Sequence, residues 1–179
     1  MPSFHDFRFL STDGKHKVFA RECTPDGEVR AVLQIAHGVA EHIYRYAPFM
    51  EFLANHGFAV VANDHLGHGK TAENEQELCF FAEKDGWNDV VSDMDQLHKL
   101  TAAKYPDVPY FLFGHSMGSF YARWYAEKWP ESITALVISG TAGPGRRRRR
   151  RQAHGKARDD RQRPHVSQPH ARQACLRQL

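Results

Sequence analysis

The sequence predicts an α/β fold, a mostly parallel sheet with helices on both faces. Three observations carry this. Short, nearly continuous apolar runs at 31–36, 59–62, 110–113 and 135–139 read as strands covered on both sides. Segments of helical spacing lie between them, so right-handed crossovers joining parallel neighbours follow. Two further strands around a turn-rich loop open the chain and would add an antiparallel edge.

Taken in order, Phe4–Leu10 and Lys17–Cys23 flank the hairpin loop Ser11-Thr12-Asp13-Gly14, and Pro25-Asp26-Gly27 makes the next turn. The run Ala31–Ala36 leads into His37-Gly38-Val39-Ala40-Glu41-His42. A helix is predicted at about Tyr46 to His56, with Pro48 in its first turn and Gly57 as its stop. The strand at 59–62 closes at Asn63-Asp64, and 65–86 reads as a long glycine-containing loop. Trp87, Val90, Val91, Met94, Leu97 and Thr101 then recur at helical spacing, which predicts an amphipathic helix from Gly86 to about Tyr105. Strand Tyr110–Phe113, a helix from Met117 to about Lys128 and strand Ala135–Ser139 complete the pattern.

Charge divides the chain. Residues 1–145 carry 12 Lys+Arg against 19 Asp+Glu, a net of −7, while 146–179 carry 12 against 2, a net of +10. Six arginines begin at Arg146, and the remainder has no aromatic residue and only Val166, Leu176 and Leu179 as large aliphatics. Such a segment buries too little apolar surface to offset its ordering entropy, so 144–179 is expected to be disordered and 1–143 to hold the folded domain. The first eight residues are polar and charged, and no run approaches a membrane span, which gives a cytoplasmic expectation.

Chemistry concentrates at Gly114-His115-Ser116-Met117-Gly118. A strand ends in Gly114 and a helix begins after the serine. The flanking glycines let strand and helix approach closely around a strained nucleophile whose hydroxyl stands at the tip of the sheet. A serine needs a base to take its proton and donors for the oxyanion it creates. The Met117 N–H, at a helix start, suits one donor, and the Val39 N–H, in the loop after the 31–36 strand, suits the other.

His37-Gly38-Val39-Ala40-Glu41-His42, Asp64-His65-Leu66-Gly67-His68-Gly69 and Gly114-His115-Ser116-Met117-Gly118 occur in an order and register that resemble the α/β-hydrolase superfamily. Within it they resemble the monoacylglycerol lipase, lysophospholipase and serine aminopeptidase-like group. The resemblance spans about residues 5 to 143. It implies a cofactor-free serine hydrolase cleaving carboxylic esters of lipid-like alcohols, such as monoacylglycerols or lysophospholipids. Ser116 would be its nucleophile and Val39 and Met117 its oxyanion hole, with His37, Gly38, Gly114, His115 and Gly118 supporting the loops.

The family pattern continues past the 135–139 strand with a cap and two further strands that deliver an acid and then a histidine. Here Asp159 or Asp160 and then His165 or His170 keep that order without any strand pattern around them. The expectation is an incomplete hydrolase fold lacking cap and last strands, with a frameshift near residue 144 and little or no activity. The other reading is a non-catalytic remnant whose basic segment contacts acidic partners, a membrane surface included, without specificity. Specific nucleic-acid binding is not expected, because no aromatic residues interleave the arginines to stack bases. Gly67-His68-Gly69-Lys70-Thr71 resembles the end of a phosphate loop, but Asp64 stands where its first glycine belongs. His65 and His68 lack partners at metal-ligand spacing, so no metal is expected.

Overall fold

The strands form one six-stranded sheet in the order β1-β2-β4-β3-β5-β6 in a computed structural model that describes residues 1–143. They are β1 (Ser3–Leu10), β2 (Lys17–Thr24), β3 (Ala31–Ala36), β4 (Phe58–Asn63), β5 (Tyr110–His115) and β6 (Ala135–Ser139). The hairpin β1–β2 and the pair β2–β4 are antiparallel, whereas β3 runs parallel to both β4 and β5, and β5 to β6. The segment 144–179, with its expected disorder and frameshift and with Asp159, Asp160, His165 and His170, lies outside the described residues.

Three helices follow the expectation closely. α1 spans Ala47–Ala54, within the helix expected at about Tyr46 to His56, and a single 3-10 turn at Ile43–Tyr46 leads into it. Gly57 ends that segment at φ +85°, a conformation a side chain would strain. α2 spans Gly86–Lys104 and α3 Met117–Lys128.

Strand alternation explains the two layers. On β3, Leu33 and Ile35 pack with Met50 and Ala54 of α1 on one face. Val32 and Ala36 point the other way, toward residues of α2 and α3. Every β3 residue is therefore buried, as a strand between two parallel neighbours must be. Trp87, counted with the apolar face of α2, is instead 46% exposed and packs edge-on against Tyr121 of α3, with ring centroids 5.0 Å apart.

Two buried polar contacts fix the layers. Gln34, on central β3, donates to the Met94 carbonyl of α2 at 2.9 Å and accepts from the Tyr110 hydroxyl at 2.7 Å. Asp93 of α2 accepts from Ser11 Oγ at 2.8 Å and from the Thr12 N–H at 2.7 Å, which clamps the β1–β2 turn onto the helix. Burial pushes the Asp93 carboxyl up to about 6 despite those donors. β6 is the last strand of the sheet, with Val137 51% and Ile138 39% exposed. Among the described residues no helix is long and apolar enough to cross a membrane.

Tyr110→Phe leaves the buried Gln34 carbonyl without its donor and should cost about 1–3 kcal/mol. Urea denaturation of the two proteins side by side measures this directly.

Candidate active site

Ser116 sits between the end of β5 and the start of α3 with φ +50° and ψ −116°, backbone angles that side-chain-bearing residues rarely adopt. Three contacts hold it there. Its N–H donates to the Ser139 carbonyl of β6 at 2.8 Å. Its carbonyl accepts from the Ser119 N–H at 3.0 Å and from Ser119 Oγ at 2.6 Å. The strain is thus secured by the neighbouring strand on one side and the first turn of the helix on the other.

The glycines act by size. A Cβ at Gly118 would overlap the Ala36 carbonyl, so only hydrogen lets α3 sit against the exit of β3. At Gly114 a Cβ would fall 2.7 Å from the Ala122 Cβ, within the α3 contact. Gly38 is the third: its missing Cβ would lie 3.1 Å from the Ser116 Cβ and 2.8 Å from Glu41 Oε1. The loop after β3 therefore touches the serine through Gly38.

Val39 follows as an exposed residue, 45% accessible, and Ala40 turns the chain back at φ +57°. Met117 is the first residue of α3, so its N–H has no carbonyl within the helix to bond. Met117 adjoins the serine in the chain, and Val39 follows the glycine whose missing Cβ would approach the Ser116 Cβ.

His37 is fully buried, and its tautomer follows from its partners. Nε2 accepts the His65 N–H at 3.0 Å, so Nδ1 carries the proton and donates to the Gly38 carbonyl at 2.7 Å. Burial, then the neighbouring imidazoles of His65 and His68, hold His37 well below the ordinary histidine range. His65 lies 4.2 Å from His37 between ring centroids, and burial pushes it down to about 3. Its ring nitrogens have no hydrogen-bond partner among the described residues. Both rings are thus held neutral inside the loops after β3 and β4. His115 extends from β5 toward β6, with Nδ1 3.3 Å from Ser139 Oγ. Among the described residues, no imidazole or carboxylate is hydrogen-bonded to Ser116 Oγ.

Sequence reasoning missed the carboxylates that assemble the surrounding loops. Asp64 is fully buried, accepting from the Ile43 N–H and the Lys70 N–H, each at 2.8 Å. A Cβ at Gly69 would run into that carboxylate, which fills the concavity a phosphate would need. Glu41 is buried too; its Oε1 accepts from the Gly38 N–H and, at 2.7 Å, from the Tyr46 hydroxyl. Acidic residues beside glycine turns were the available signal, but only the fold shows which amides they meet.

A family model described as serine aminopeptidase, S33 matches residues 27–157. A monoacylglycerol lipase of Mycolicibacterium smegmatis is 34% identical over 119 residues, covering 66% of this chain and 40% of its own length. A monoglyceride lipase of Mus musculus is 32% identical over 129 residues, covering 72% and 40%. A thermostable carboxyl esterase from Bacillus coagulans, solved in complex with glycerol, is similar at TM-score 0.74 and 38% identity, covering 79% of this chain and 45% of that one. The chain spans about 40% of the length of these curated relatives.

Two outcomes follow from the geometry. Ser116→Gly removes the cost of the unusual backbone angles and should exceed Ser116→Ala in stability by about 1 kcal/mol or more, read from denaturation midpoints. His37 and His65 stay neutral in the folded chain at pH values where the unfolded chain protonates both. Their contribution is therefore complete above about pH 6.5 and lost as pH falls, by about 1.4 kcal/mol per pH unit for each ring. Unfolding titrations between about pH 7 and about pH 5 should show this slope, and His65→Phe should reduce it.

Proposed function

The chain belongs to the serine aminopeptidase S33 family of α/β hydrolases, and we propose that Ser116 is the nucleophile of a lipase- or esterase-type hydrolysis of carboxylic esters. One observation carries this reading: a serine held at φ +50° on a strand-to-helix turn, with the Gly38 loop packed against its Cβ. In the proposed reaction Ser116 Oγ attacks the ester carbonyl and loses its proton to a base. The N–H groups of Val39 and Met117 receive the carbonyl oxygen as it becomes an oxyanion. Collapse expels the alcohol, which takes up a proton, and leaves an acyl-serine that water then cleaves to free acid and serine.

The relatives named monoacylglycerol and monoglyceride lipases support a small lipid-like ester as substrate, with monoacylglycerols and lysophospholipids as the first to test. We place the reaction in the cytoplasm, without a cofactor. No described residue stands as the base on Ser116. A serine with an oxyanion hole but without a paired imidazole, which is the arrangement among the described residues, keeps only a residual rate, and on that arrangement slow turnover is expected. That same observation favours the second reading, a non-catalytic chain whose basic segment binds acidic partners by charge.

A fluorophosphonate probe on the folded full chain separates the two. Labelling that maps to Ser116 by peptide mass analysis, and is abolished in Ser116→Ala, is the expected result. A folded chain that takes up no probe would leave the second reading.

A further inference from the structure

We infer that Glu41 is a positioning residue for the oxyanion loop, acting through the main chain of Gly38; the inference rests on the nucleophile reading of Ser116. The peptide that bears the Val39 N–H also bears the Gly38 carbonyl, and in a planar trans peptide the two point in opposite directions. Whatever fixes the Gly38 carbonyl therefore aims the Val39 N–H. The His37 Nδ1–H does so from one side at 2.7 Å.

A single hydrogen bond leaves the chain free to turn about Gly38, whose two soft dihedrals are the least restricted of any residue. Glu41 removes that freedom. Its Oε1 takes the Gly38 N–H, on the peptide before, so both peptide planes flanking Gly38 are held by buried side chains. The Gly38 N–H is thereby occupied and is not available to the substrate oxygen, which the proposed reaction places on the next amide, that of Val39.

Glu41 is itself built in. The Tyr46 hydroxyl, at the entry to α1, donates to the same Oε1 at 2.7 Å, and Arg45 lies 3.4 Å from Oε2. A buried carboxylate with these donors is pre-oriented before substrate arrives, which is what preorganised oxyanion stabilisation requires. It holds Gly38 through the N–H, whereas His37 holds it through the carbonyl, and it makes no hydrogen bond to Ser116.

The test uses the full chain and two readouts. The first is the Gly38 amide in the 15N-labelled protein. It should be shifted downfield and protected from exchange in the parent and in Glu41→Gln, which keeps an acceptor for both donors, and should lose both properties in Glu41→Ala. The second is the fluorophosphonate reaction, resolved into probe binding and the inactivation step. Glu41→Ala should slow the inactivation step by about 10- to 100-fold with binding little changed, the range below full loss of one oxyanion donor. Glu41→Gln should restore at least about a third of the parent rate.

A Gly38 amide indifferent to Glu41→Ala overturns the inference, as does an inactivation step of parental speed once that amide has been released. A parent chain that takes no probe, while its Gly38 amide still depends on Glu41, overturns the nucleophile reading instead. In that case Glu41 remains a clamp on a loop without chemistry.

Discussion

The site depends on how closely the exit of β3 can approach the turn between β5 and α3. Strand spacing brings the two chain ends together, but the hydrogens of Gly38 and Gly118 let them touch, while that of Gly114 lets α3 close onto β5. A methyl at Gly118 would collide with main chain, which cannot swing aside as a flexible side chain can. The unusual backbone of Ser116 is then imposed from both sides, by the Ser139 carbonyl of β6 and by Ser119 of α3. Local strain of this sort persists only where surrounding structure over-determines it.

Around that contact, polar groups serve architecture as much as chemistry. Asp64 ties the loop after β4 to the start of the 3-10 turn, while Thr71 bridges the Asp64 carbonyl and the Phe19 N–H of β2. The His37 ring is a neutral link between the Gly38 carbonyl and the His65 N–H, although a histidine beside a serine motif invites a catalytic reading. Burial decides between these roles: without a charged partner a buried imidazole loses its proton long before neutral pH.

The sheet was legible in the sequence because each central strand is a nearly continuous apolar run, and β3 is buried at every position. The serine turn was legible because glycine spacing reports backbone geometry directly. Less visible were the contacts that join distant segments. Asp93 meets Ser11 across 82 residues and Thr71 meets Phe19 across 52, separations over which no periodicity carries information. Trp87 shows the converse error. Its spacing fits the buried stripe of α2, yet it lies at the first turn, where the rings of Phe81, Tyr121 and Trp124 cover it in part. The roles of Glu41 and Asp64 were hidden for a related reason: acidic side chains near glycine turns look solvated until the amides they receive are in place.

The outer strand and the first helix also bear on how this protein can be handled. Val137 and Ile138 of β6 and Phe49 and Phe52 of α1 present apolar side chains to solvent in the folded state. Environment-sensitive dyes report unfolding by brightening on newly exposed apolar surface, and here such surface is present before any unfolding begins. Their fluorescence in the folded state would therefore include a contribution from β6 and α1. Intrinsic tryptophan emission follows Trp87, Trp124 and Trp129, whose rings pack on one another or on α3 tyrosines. For this chain it is the better reporter of cooperative melting.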